Sequence, residues 1–266
     1  MVSTVSILFI AITAIFCILL PFGLALYFLI RQKAHWISIL TGMAVFIFFQ
    51  LMIRLPLLQI VLPNTPLYGI LTGNIWLYTS FLGFSASLAE NLGRYLAFST
   101  ILRRRHLDWK NGVGYGIGHG GIEAAMLVGM SYVSNFFICL SINAGRYDSV
   151  IAPTLSANTA SLLKSQLIDT PSYMFLIPGL ERGLTLLIQI GLALIVMEGI
   201  RKGKGLLYLL YAFLIHGILD TSAGLLAAAG LNVWLIELYV ALYAAAALLF
   251  IVRTRQNEKN LTSRTL

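Results

Sequence analysis

The stretch Val5–Ile30, VSILFIAITAIFCILLPFGLALYFLI, contains no charged side chain and is closed by Arg31 and Lys33. About 20 apolar residues suffice to cross the ~30 Å hydrocarbon core of a bilayer. The stretch is too long for the core of a secretory signal, and it lacks a basic start and a small-residue cleavage site, so it reads as a retained membrane span. The pattern recurs at about 36–62, 68–100, 111–142, 173–200, 205–228 and 231–252. Seven apolar runs predict an all-α, polytopic helical protein of the cell membrane. The third run is long enough to break near Gly83, and Pro21, Pro56 and Pro178 are kinks that membrane helices tolerate. Composition agrees: 59% of residues are hydrophobic and 11% charged, against about 45–50% and about 25% in soluble domains. A disordered chain and a receptor of one or two spans are excluded, and the balance argues strongly against a soluble globular enzyme. The expected organisation is one integral-membrane domain over 1–266. It has an outer loop at 143–172, with a short interfacial helix near Ser156–Leu167, and a basic tail at 253–266.

The net charge of +8 is a matter of topology. Arg31 and Lys33, then Arg103, Arg104, Arg105 and Lys110, then Arg201, Lys202 and Lys204, and finally Arg253, Arg255, Lys259 and Arg264 all fall on one side of seven alternating spans. The other side carries only Arg146 and Lys164. The positive-inside rule then predicts an outside N-terminus and a cytoplasmic C-terminus. The basic excess suits anionic lipid headgroups and gives no reason to expect nucleic acid. Cys17 and Cys139 lie in apolar runs on separate spans, the usual setting of packing residues, so neither a disulfide nor a thiol nucleophile is expected.

The informative charges are those left inside the spans, where each costs at least about 2–3 kcal/mol. They are Arg54, Arg94, Arg182, Glu90, Glu123, Glu181 and Asp220, joined by His119 and His216. Glu198 and Glu237, nearer helix ends, read as interfacial. In GYGIGHGGIEAAMLVG (Gly114–Gly129), His119 and Glu123 are four apart and share a helix face. The surrounding glycines suit a helix–helix seam, although a seam needs no buried His or Glu. FLIHGILDTSAG (Phe213–Gly224) repeats the offset with His216 and Asp220. In SLAENLGRYLAF (Ser87–Phe98), Glu90 and Arg94 either form an intrahelical ion pair or present a general base oriented by an arginine. At 1.5 Å per residue, Glu90, His119 and His216 lie about 12–17 Å above the inner helix ends, in one layer. Two imidazoles and several carboxylates at one depth are the donors that zinc accepts, and equally the parts of an acid–base site. Glu181 and Arg182 count to a level further out, as support for the site or facing the substrate.

Glu90-x-x-x-Arg94, GHGGIEA at Gly118–Ala124, Glu181–Arg182 and His216-x-x-x-Asp220, in this order over nearly the whole chain, resemble the YhfC family of intramembrane metalloproteases. More distantly the chain is similar to the CAAX-protease and bacteriocin-processing (CPBP) superfamily, with its Glu-Glu-x-x-x-Arg, aromatic-x-x-x-His and His-x-x-x-Asn/Asp motifs. These fall on Glu90-Asn91 with Arg94, Tyr115 with His119, and His216 with Asp220. Asn91 stands where that superfamily usually has its second glutamate, and Glu123 is the candidate to replace it. The resemblance implies peptide-bond hydrolysis. His119 and His216, with Glu123, would hold a zinc ion or, without any metal, a nucleophilic water. Glu90 would activate that water, with Arg94 and Asp220 completing the site and Asn91, Tyr115, Glu181 and Arg182 supporting it. The substrate would be a membrane-embedded or lipidated peptide. Two other readings of the charges are a proton- or ion-coupled transporter, which would show inverted repeats, and a non-catalytic scaffold.

Overall fold

The computed structural model describes residues 1–104 and 106–264; Arg105 of the basic loop, and Thr265 and Leu266 of the predicted tail, lie outside the described residues. It is helical throughout, with no strand among the described residues. Among the described residues, seven long helices carry it. They are α1 (Thr4–Ile30), α2 (Trp36–Asn64), α3 (Ile75–Ser99), α4 (Trp109–Asn143), α5 (Ser172–Arg201), α6 (Gly205–Ala228) and α7 (Val233–Arg264). Six of them are long and apolar enough to cross a membrane, and α3 is the exception. The reason is chemical. Within 25 residues α3 carries Ser85, Ser87, Glu90, Asn91 and Arg94, polar groups that its neighbours rather than lipid must satisfy.

The third apolar run does break, but not at Gly83. A short helix, Pro66–Thr72, ends at Gly73, and α3 then starts from Asn74. The Asn74 side chain accepts the Trp76 and Leu77 amides at 2.9 and 3.2 Å, the usual N-cap arrangement. Gly83 lies instead in mid-helix, where an added Cβ would meet the Thr221 backbone of α6. Pro178 does not kink a span either. It follows Ile177 in the first turn after the 3₁₀ segment Ser172–Leu176, where a missing N–H costs nothing. Pro56 does distort its helix. Wide π-type turns at Phe46–Arg54 and Leu57–Val61 flank it, a common way to re-pair carbonyls that a proline leaves without a donor. Towards its end, α7 continues without a break through the predicted tail to Arg264.

The chain clusters into two compact units: Met1–Phe22 with Glu123–Gly183, and Gly23–Ile122 with Leu184–Leu266. The first packs Val2, Ile10, Cys139, Ile142, Tyr147, Leu167 and Phe175 together. The Asn143 side chain ties Val2 down by accepting its N–H at 2.7 Å and donating to its carbonyl at 2.9 Å. The loop helix is present as Ala157–Asp169, capped by Ser156 and pinned by a hydrogen bond from the Tyr147 hydroxyl to the Ala160 carbonyl at 2.7 Å. Cys17 and Cys139 are free thiols in buried positions.

In the second unit, glycines set the approach of α2 to α4. A Cβ on Gly118 would collide with the Ile39 carbonyl oxygen, and one on Gly42 with the carbonyl oxygen of Tyr115. These two mutual contacts bring the α2 backbone against the turns that carry Tyr115 and His119. Because the obstructing atoms are backbone, neither contact can relax by a rotamer change. Gly118→Ala is expected to destabilise the protein by about 1–3 kcal/mol, measured by denaturant unfolding in mild detergent; unchanged stability would mean that the close approach is not a constraint.

Candidate active site

Glu90, Asn91 and Arg94 of α3 are all buried, as are Tyr115 and His119 of α4, Gln189 of α5 and His216 of α6. Their side chains form one polar network within the second unit. Every contact recorded for Glu90 ends on Oε2. His119 Nε2 is 3.1 Å away, Gln189 Nε2 donates at 3.1 Å, and His216 Nε2 and Arg94 Nη2 each stand at 4.0 Å. Oε1 has no partner among the described residues. The simple Glu90–Arg94 ion pair is therefore only the outermost of these contacts, although the four-residue offset does place the two groups on one face.

Arg94 does something more specific. Its Nη1 donates to Asn91 Oδ1, and its Nη2 donates to Gln189 Oε1 at 2.5 Å. A guanidinium only donates, so both amides must turn their oxygens toward it and their NH2 groups away. Gln189 then donates to Glu90. Asn91 Nδ2 donates to the Ser87 carbonyl at 2.8 Å and meets His216 Nδ1 at 3.2 Å. With Asn91 as donor, His216 Nδ1 is the acceptor, and a neutral His216 carries its proton on Nε2. That N–H faces Asp220 Oδ2 at 3.3 Å and, further off, Glu90. The tautomer follows from the network of heavy atoms.

His119 is enclosed by Phe46, edge-on with centroids 5.5 Å apart, and by Tyr115, stacked at 6.0 Å. Its Nδ1 and the Tyr115 hydroxyl are buried without a hydrogen-bond partner among the described residues. Tyr115 thus lines the pocket of His119 rather than bonding to a ligand of it.

The remaining predicted residues form a second group, in the first unit. Arg182 donates to Glu123 Oε1 at 2.8 Å and also bonds Glu181. A cation between two carboxylates accounts for three charges that lipid would not admit. Glu123 begins this unit and sits one turn beyond His119 on α4. Arg54 makes its own hydrogen bonds, donating to the Leu82 carbonyl at 2.7 Å and to Ser85 Oγ at 3.1 Å. Glu198 pairs with Arg201 at 2.8 Å near the end of α5, as an interfacial acid would. Glu237, expected at the interface, is buried at 6% exposure. Gln189 is the central residue that sequence reading missed. The only available signal was one amide interrupting the apolar run Leu186–Ile190.

An all-helical membrane protein with a buried Glu–His–Gln–Arg network defines the class. The sequence profile of the YhfC intramembrane metalloprotease family matches residues 16–240, and the chain belongs to that family. It is 29% identical over 261 residues, 96% of its own length and 99% of the relative's, to a Bacillus subtilis (strain 168) protein described as the uncharacterized membrane protein YhfC. No solved structure matches it.

The family name implies a metal, and the donor chemistry agrees with one. An imidazole nitrogen and a carboxylate oxygen 3.1 Å apart in buried positions call for a positive centre between them, either a proton or a metal ion. Glu90 and His119 offer those atoms. In the neutral tautomer that the Asn91 contact implies, His216 keeps its proton on Nε2 and offers no equivalent lone pair. Nitrogen-15 spectra of histidine-labelled protein should report His216 as the Nε2–H tautomer and should show it reversed in Asn91→Asp. A wild-type Nδ1–H signal would contradict the network.

Proposed function

We propose that this chain is an intramembrane peptidase in which Glu90 activates the attacking water. The observation that carries this reading is the asymmetry of the Glu90 carboxylate: Oε2 is held by His119 and Gln189, while Oε1 has no partner among the described residues and can receive a proton. A carboxylate fixed at one oxygen and open at the other is a positioned general base. Glu90 takes the water proton at Oε1 and returns it to the leaving amine. His216 presents its Nε2–H to the oxyanion that develops on the substrate carbonyl, the kind of fixed donor that stabilises such a charge. Asp220, beside that N–H at 3.3 Å, orients the ring until substrate arrives. Arg94 acts through the two amides it holds and is a positioning residue. The substrate class that suits a site buried among membrane helices is a membrane-embedded or lipidated peptide whose backbone is unwound locally.

Were a metal bound, Glu90 and His119 of the second unit would hold it. A zinc ion there would acidify its bound water and polarise the scissile carbonyl. His216 keeps its role as hydrogen-bond donor in either case. This differs from the ligand set that the family resemblance implies, in which both histidines bind.

The test compares reconstituted wild type with Glu90→Gln and His119→Ala, reading the new peptide termini generated in a membrane-protein substrate pool. Both variants are expected to lose at least about 10²-fold in cleavage rate; cleavage undiminished in both would remove the proposed site. Metal content gives a second check. Loss of bound metal is expected in His119→Ala, with retention in His216→Ala despite lost activity. Loss in His216→Ala with retention in His119→Ala would assign the ligands the other way round.

A further inference from the structure

The start of α4 and the last turns of α7 border an open cavity of about 470 Å³, lined by Gln32, Trp109, Lys110, Arg255, Glu258, Lys259 and Ser263. It lies wholly within the second unit and plays no part in the Glu90 network. Three of its lining residues are cations, and none of them pairs with a carboxylate among the described residues. Neighbouring cations differ in this respect: Arg201 bonds Glu198 and Glu258, and Lys202 bonds Glu198. The one acid in the lining, Glu258, is already engaged. It accepts the Trp109 amide at 3.0 and 3.1 Å and pairs with Arg201 at 3.0 Å. The cavity therefore keeps an uncompensated positive charge.

Its framework is fixed as well as charged. The Trp109 indole donates to the Ile251 carbonyl at 2.9 Å, and the Arg255 guanidinium lies over the same ring at 4.8 Å. A cation held on an aromatic face loses less conformational freedom on binding an anion than a free one does. A tryptophan beside lysines and arginines at the ends of apolar helices is also the arrangement found at the headgroup level of a bilayer.

We infer that this cavity binds the phosphate of one anionic phospholipid headgroup, with Lys110, Arg255 and Lys259 as the charged contacts and Trp109 as the platform. The chemistry recognised is a phosphodiester monoanion. A lipid is the source that fits, because the cavity opens where α4 enters and α7 leaves its apolar length, on the side to which the basic loops belong. Anionic lipids are attracted to such clusters, each Lys or Arg near the surface strengthening binding by roughly fivefold.

The experiment places the full-length protein in nanodiscs of phosphatidylcholine containing increasing fractions of phosphatidylglycerol and follows thermal unfolding. The wild type should gain stability and saturate at a low phosphatidylglycerol fraction. The triple variant Lys110→Gln, Arg255→Gln, Lys259→Gln should need about 10²-fold more of it. Lys110→Arg with Lys259→Arg should behave as wild type, which separates lost charge from misfolding. Arg103→Gln with Arg104→Gln, which removes exposed cations of the same side outside the cavity, should leave the midpoint in place. An equal shift in that control would reduce the effect to general surface attraction and overturn the site. If inorganic phosphate in pure phosphatidylcholine discs reproduces the stabilisation, the ligand is soluble phosphate and the lipid assignment fails. An unchanged midpoint in the triple variant would also overturn it.

Discussion

One fully buried guanidinium organises the chemistry of this protein. Arg94 has no solvent around it and donates to Asn91 Oδ1 and Gln189 Oε1. Because it can only donate, it dictates the orientation of both amides. Through them it determines what Glu90 and His216 receive: a donor at Glu90 Oε2, and a donor at His216 Nδ1. An arginine with planar, forked donors suits this task in a way that a lysine would not. Arg94 and Glu90 themselves stand 4.0 Å apart, and the closer partners of Glu90 are His119 and Gln189.

Helix packing supplies the precision that this network needs. The contacts of Gly42 with Tyr115 and of Gly118 with Ile39 are backbone to side-chain position, closer than any residue with a Cβ allows. They fix the height and rotation of the turn that bears His119. On the other face, Gly116 admits the Ile190 backbone and Gly120 the Gln189 side chain of α5, so the helix that carries Gln189 comes near enough for its amide to reach Glu90. The glycines of the GHGG run and the polar residues between them belong to one design: small residues bring the helices together, and the network uses the closeness. Outside this region the protein handles membrane charge differently, as in the Glu123–Arg182–Glu181 group, where opposite charges satisfy each other directly.

Much of this was legible in the sequence, because a charge inside an apolar span is conspicuous. The offsets Glu90/Arg94, His119/Glu123 and His216/Asp220 survived into the structure as shared helix faces, and Glu90 lies 3.1 Å from His119 and 4.0 Å from His216. The extent of α6 was read correctly to the residue. What escaped has a common physical cause. Gln189 carries no charge, so its presence in an apolar run raises no alarm, and only its partner across the helix interface gives it meaning. The wide turns around Pro56 depend on which carbonyls find donors, and composition does not encode that. Asn74 rather than Gly83 begins α3, since a cap is decided by one side-chain hydrogen bond and mid-helix glycines serve packing as readily as breaks. Asn91, marked by resemblance as a departure from two adjacent glutamates, turned out to matter as an amide: a carboxylate there could not donate to His216.

The most direct measurement is a double-mutant cycle between Arg94 and Gln189, using Arg94→Met, Gln189→Met and the pair, with unfolding free energies taken in the same detergent. If the guanidinium holds the amide as described, the two positions should couple by about 1.5–3 kcal/mol, as expected for a buried hydrogen bond to a charged group. Additivity within about 0.5 kcal/mol would contradict the clamp, and with it the orientation of Glu90 and His216 that depends on it.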